Sequence, residues 1–270
     1  MRAGAVVRSF PIGVDFGAYR SADKLAEVRG LLRRFRPLKR RGRQLLLSVS
    51  RLDYTKGIIE QLRAVEQVLE RYRPGVLHYK LVVAPSRDEI EKYRELKEQV
   101  EQTVAEINAR FKEKWNIKPV SYEYRCYGFE ELNALYRLAD VLLVAPVIDG
   151  MNLVVKEYVA ARGASLGSVV LSRTAGVAFQ LRDSVRVDPT SVGDIARGLS
   201  QALEMPVVEQ AWRWQAIYRN VRMQDVFWWA DSFLNVLERP QRKLVGLQLV
   251  PNERSTNNCS SFRLQNPFPE

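Results

Sequence analysis

The chain has 270 residues, 46% of them hydrophobic and 27% charged, with two cysteines, one histidine and a formal net charge of +11. That balance suits a folded globular chain with a real core and excludes collagen-like, low-complexity and disordered classes. No run approaches the ~18 to 20 apolar residues of a membrane span, no signal-peptide core opens the chain, and one histidine excludes a two-histidine zinc mechanism. Cytoplasmic location is the expectation. Cys126 and Cys259 are too isolated for a disulfide framework or a zinc cluster, and Cys126 reads as a small apolar filler.

The charge is local. The first 43 residues hold twelve Lys/Arg against three Asp/Glu, most densely from Arg33 to Arg43. Such a run can follow a phosphate backbone, or it can be a solvated helix end and linker facing an acidic surface. No nucleic-acid module accompanies it, which favours the second reading. Residues 1–43 are therefore taken as a basic leader and hinge segment.

From Gln44 the pattern is regular. Leu45 to Ser50 reads as a buried parallel strand, and Ile58, Leu62, Val65, Leu69 and Tyr72 form one helical stripe. His78 to Ala84 is the next strand. Pro85 opens a long charged helix whose stripe runs from Ile90 to Phe111, and Val120 to Arg125 is a third strand. A short helix at Glu130 to Arg137, a strand at Val141 to Ala145, a helix at Leu153 to Arg162 and a strand at Ser168 to Leu171 follow. Val185 to Val187 adds a strand before helices near Ile195 to Leu203, Val208 to Tyr218 and Val226 to Leu237. Strands alternating with helices predict an α/β fold, a doubly wound, Rossmann-like parallel sheet over residues 44–238. Residues 239–270 lack periodicity and read as a poorly ordered tail.

Open parallel sheets bind ligands beyond the carboxyl ends of their strands, and two segments there are unusual. In the loop from Ser50 to Gly57, Arg51 leaves the strand and Lys56 sits at the helix start, so both can converge on a phosphate or diphosphate. The alternative is that Arg51 pairs with Asp53 and Lys56 is merely exposed. In the second, from Pro146 to Tyr158, Gly150 permits close backbone approach, the helix start offers free N–H groups, and Asp149 stands at the mouth. Glu157 leans back toward the same cleft, where a ribose diol would suit it. The alternative is a capping Asp149 and a Glu157 paired with a nearby lysine.

The order SFPIGVD, SRLDYTKG, PSR, NARF, ELNALYRLADV, APVIDGMNLVVKEYVA, VVLS-x-x-AG and ALEMP closely resembles the carboxyl-terminal half of the trehalose-6-phosphate synthase family, retaining glycosyltransferases of the GT-B fold. The resemblance covers roughly residues 9–234. It implies that Arg51 and Lys56 contact the diphosphate of UDP-glucose as catalytic cations. Asp149, Gly150, Met151, Asn152 and Leu153 would hold the donor sugar and phosphate, and Glu157 the ribose. Arg110 matches the arginine that reaches the phosphate of the glucose 6-phosphate acceptor. No cofactor and no metal are implied, because two cations and helix-end amides can stabilise a departing UDP. The family's amino-terminal domain is expected to be lacking, so turnover would need it either from a separate subunit or from a coding frame interrupted by truncation. A homo-oligomer, a regulatory nucleotide-sugar-binding subunit and glucosylglycerol-phosphate synthesis are the other readings. Ile148 stands where the family usually has arginine, and Ala109 where it has glycine. Tryptophans on the last helices would mark a docking surface, and His78 reads as structural. Nucleic acid and membrane are not expected partners.

Overall fold

Six strands, β1 (Gln44–Arg51), β2 (Leu77–Ala84), β3 (Val120–Tyr124), β4 (Val141–Val144), β5 (Ser168–Ser172) and β6 (Val185–Val187), run parallel in the order β3-β2-β1-β4-β5-β6. The structure, a computed structural model, describes residues 7–40, 42–87 and 89–238. Nine helices occur among them: α1 (Phe16–Ser21), α2 (Ala26–Phe35), α3 (Ile58–Arg71), α4 (Glu91–Trp115), α5 (Phe129–Leu138), α6 (Leu153–Arg162), α7 (Val192–Glu204), α8 (Val207–Met223) and α9 (Val226–Glu238).

Strand side chains alternate between the two faces of the sheet, so the leucines of β1 serve two cores. Leu46 packs with Ile58, Leu62 and Val65 of α3, Val100 and Ile107 of α4, and Ile195 and Leu199 of α7. Leu45 and Leu47 face the other way, toward Leu135 of α5, Val155 and Val159 of α6 and Trp214 of α8. Strands covered on both faces read as continuous apolar runs, which is why their positions follow the sequence expectation closely. The helix α4 stops at Asn116, whose left-handed backbone (φ 54°) turns its N–H onto the Lys112 carbonyl at 2.8 Å.

The segment before β1 differs from expectation. Asp15 caps α1 by accepting the Ala18 N–H at 2.8 Å, and Val14 and Phe16 enter the core beside α6 and α8. Val28 of α2 is fully buried against α5, with Leu31, Leu32 and Phe35 around it. Residues 14–38 thus belong to the domain rather than to a solvated leader. The part of the leader before Val7 and the tail at 239–270 lie outside the described residues. Cys126 is exposed and fills no core space, because it falls in the loop after β3 rather than in the strand. His78 is buried, with Nε2 2.8 Å from Ser121 Oγ.

Candidate functional site

The strand order reverses direction between β1 and β4, so their outgoing loops diverge and leave a crevice at the carboxyl edge. Both singled-out loops emerge there. Thr55 accepts the Val147 N–H at 2.7 Å, and a Cβ on Gly57, whose φ is +60°, would come 2.7 Å from the Ala145 carbonyl oxygen. Glycine is therefore what lets the chain turn into α3 against the neighbouring loop. A third loop closes on the second: Gly176 N–H donates to the Asp149 carbonyl at 2.9 Å and Val177 N–H to the Met151 carbonyl at 2.9 Å. A Cβ on Gly176 would meet the Gly150 carbonyl oxygen at 2.0 Å.

Lys56 Nζ bonds Asp149 Oδ2 at 2.8 Å across 93 residues of sequence, and each side chain is 15% exposed. Burial works to raise the Asp149 pKa, but the hydrogen bonds from Lys56 and Asn152, the Lys56 charge and the Met151 N–H outweigh it and hold the carboxyl below its usual range. Asp53 is a carboxylate of the same loop with its own partners, the Thr55 N–H and hydroxyl at 2.9 and 2.7 Å. Arg51, exposed at the end of β1, makes no salt bridge to it, although against burial the Thr55 hydrogen bonds, helped by the Lys56 and Arg51 charges, hold the Asp53 carboxyl below its usual range. Arg51 and Asp53 thus interact through charge without a direct salt bridge, and Lys56 is not merely exposed.

Asn152 leads into α6 with φ 77° and gives the helix no side-chain cap. Its Nδ2 donates to Asp149 at 3.1 Å, while its Oδ1 is buried without a hydrogen-bond partner. The first-turn N–H groups of α6 are likewise left for an incoming acceptor. Gly150 is exposed and a Cβ there would meet nothing within 4 Å, so this stretch of backbone faces open space. Glu157 lies one turn beyond Leu153, about 6 Å along the helix. It accepts the Tyr136 hydroxyl at 2.7 Å and pairs with no lysine among the described residues. Its neighbour Lys156 is fully buried, bonds the Ile12 carbonyl at 2.7 Å, and is lowered by burial to about 8.

Arg110 is not brought to this crevice. Asn108, two residues earlier, bonds Val120 at the start of β3, which places this end of α4 at the amino edge of the sheet. Arg110 pairs there with Glu66 at 3.0 Å and Glu70 at 3.1 Å, about 28 Å along α4 from its first residue. The acceptor role expected for Arg110 is corrected accordingly. At the carboxyl edge a different arginine, Arg87, stands in the loop after β2. It is exposed, carries a left-handed φ of 52°, and donates to the Tyr93 hydroxyl at 3.1 Å. Tyr93 in turn packs edge-on against Tyr54 of the Arg51 loop at 5.1 Å. Its sequence signal was a basic residue three positions past a strand end, inside the quoted PSR. Trp115 packs on Phe111 at 5.0 Å, and Trp214 is buried with its N–H on the Gly163 carbonyl.

Comparison with known proteins gives a consistent picture. A trehalose-6-phosphate synthase of Mycobacterium bovis is 38% identical over 233 residues, which is 86% of this chain and 46% of that protein. An alpha,alpha-trehalose-phosphate synthase (UDP-forming) of Burkholderia xenovorans, solved in complex with glucose-6-phosphate, superposes with a TM-score of 0.79 at 34% identity, covering 85% of this chain and 50% of that one. A structure from E. coli, described as trehalose-6-phosphate bound with UDP-2-fluoro glucose, has a TM-score of 0.79 at 30% identity over 86% of this chain and 51% of that one. The chain thus spans about half the length of these relatives. Residues 3–239 match the sequence profile of glycosyltransferase family 20. With the doubly wound sheet, the two motif loops at its switch point and this match over most of its length, the chain belongs to glycosyltransferase family 20.

Proposed function

We propose that the crevice between β1 and β4 is the donor half of a trehalose-6-phosphate synthase site, taking UDP-glucose. The observation that carries this reading is the Lys56 to Asp149 bond, which ties a basic loop and an uncapped helix start into one anion-accepting mouth. Arg51 and Lys56 meet the diphosphate together with the first-turn N–H groups of α6. Asp149 and the backbone from Gly150 to Leu153 hold the hexose and its phosphate. Asn152 Oδ1, oriented by the Asp149 carboxylate that its Nδ2 must face, accepts a sugar hydroxyl. Glu157, aligned by Tyr136, takes the ribose hydroxyls. Arg87 is the cation placed to meet an acceptor phosphate, as glucose 6-phosphate would carry.

In the transfer step the acceptor hydroxyl oxygen bonds to C1 of the hexose while the bond from C1 to the diphosphate oxygen breaks. The departing oxygen takes the hydroxyl proton on the same face, so configuration is retained. The cations and amides stabilise the charge that develops on the diphosphate, and this reading calls for no metal or cofactor. Turnover is proposed to need the half of the relatives' length that this chain does not span, and to take place in the cytoplasm. Isothermal titration of the full chain with UDP-glucose, GDP-glucose and UDP tests the reading. Saturable binding of UDP-glucose, unchanged by EDTA, is expected; no heat from any of the three at millimolar concentration overturns it.

A further inference from the structure

The outer strand β3 has β2 as its one strand partner among the described residues. Tyr79 is in register with Val120 and its N–H donates to the Pro119 carbonyl at 2.8 Å. In a parallel ladder this turns the backbone groups of Ser121 and Glu123 toward β2 and those of Val120 and Tyr122 outward. The outward groups of Val120 are taken: the Asn108 carboxamide donates to its carbonyl at 2.9 Å and accepts its N–H at 3.1 Å. Those are the two bonds a neighbouring strand residue makes, so α4 supplies one rung of a missing strand with a side chain. The next rung, the N–H and C=O of Tyr122, has no partner among the described residues.

An open cavity of about 580 Å³ runs beside this edge. Its floor is residues 120–123, one wall is Val104 and Asn108 of α4, and the other is Arg34, Phe35 and Leu38. The Tyr122 hydroxyl is buried without a hydrogen-bond partner. Lys80, also in the lining, is neutralised by Glu123. Arg34 in the lining is exposed and makes no salt bridge among the described residues, although its charge reaches Glu131, and with Arg33 and Arg36 exposed on either side of it in the chain it gives this wall a positive character.

We propose that this edge accepts a seventh strand, an extended acidic peptide segment of a partner protein, bonded to the Tyr122 backbone with a carboxylate toward Arg34. A simple anion can only accept hydrogen bonds and would leave the Tyr122 carbonyl unsatisfied, whereas a strand brings donor and acceptor together. Five residues of such a strand span about 17 Å, the length of β3. The edge lies two strands, roughly 10 Å, from β1, so the inference stands apart from the donor reading.

The test uses the full chain and three blocked hexapeptides: alternating Asp-Val, alternating Lys-Val, and the Asp-Val peptide with alternate backbone nitrogens methylated. Fluorescence anisotropy should show the Asp-Val peptide binding at least tenfold tighter than the other two. Hydrogen exchange at Tyr122 should slow at least tenfold at saturation. The variant Arg34→Glu, checked for its native circular dichroism, should bind at least tenfold more weakly. Equal binding of the methylated peptide, an unchanged Tyr122 exchange rate at saturation, complete displacement by inorganic phosphate at matched ionic strength, or no binding at millimolar peptide each overturns the proposal.

Discussion

The Lys56 ammonium and the Asp149 carboxylate shield one another in a mouth that is 15% exposed at each side chain. Removing the lysine leaves a half-desolvated carboxylate and takes away one of two diphosphate cations. Lys56→Met is expected to lower UDP-glucose affinity by about 10- to 100-fold, and to cost about 1–3 kcal/mol in urea unfolding. His78 supplies a pH signature. Burial, then the charges of Arg43 and Lys80, lower its pKa to about 4 from an ordinary 6.5. Between those values the unfolded chain binds a proton that the folded chain refuses, so stability is full above pH 6.5 and falls toward pH 4. The whole effect is worth roughly 3 kcal/mol, and His78→Gln should flatten the slope of urea midpoint against pH in that window. At this scale the meeting of the Lys56 and Asp149 loops at one crevice was legible, because both follow strand ends of a parallel sheet. Arg110 misled because similarity of a four-residue motif says nothing about which edge of the sheet a 25-residue helix has reached by that point.

Loops 145–152 and 173–177 are locked by the close approach of Gly176 to the Gly150 carbonyl, where a Cβ would stand 2.0 Å away. Gly176→Ala must push those backbones apart and with them the start of α6. A thermal-shift assay should show a lower melting temperature, and titration should show weaker UDP-glucose binding, with the fold's far-ultraviolet signal retained. The strands and the helices from α3 onward were readable to within a few residues because apolar runs and 3.6-residue stripes are direct consequences of two-sided burial. The helix α2 was passed over although Val28, Leu31, Leu32 and Phe35 have helical spacing. Arginines on its solvent face dominated the composition there, and charge density carries no information about the opposite face. The Tyr122 edge was invisible to sequence, since register alone decides which backbone groups face outward.

At the scale of the whole molecule, α9 has no buried residue, and Phe227 and Leu237 are 61% and 64% exposed. It is held by Trp229, whose N–H meets the Phe10 carbonyl at 3.1 Å, and by Phe233 edge-on to Phe10 at 5.3 Å. The chain spans about half the length of these relatives, and an exposed apolar helix is a surface on which further protein can pack, as the proposed function requires. Mixing the chain with the amino-terminal half of a related synthase should therefore shift tryptophan emission to shorter wavelength, and trehalose 6-phosphate should form in the mixture alone. Product from the isolated chain would contradict the need for that half. Among the described residues no helix is long and apolar enough to cross a membrane, and no cluster of metal-ligand side chains occurs.

The most direct measurement is a crystal structure of the chain with UDP. Both phosphoryl groups are expected within hydrogen-bond reach of Arg51, Lys56 and the first-turn N–H groups of α6, with the ribose at Glu157. Diphosphate density at Arg110 or elsewhere on the amino edge, with the crevice between β1 and β4 empty, would contradict the assignment.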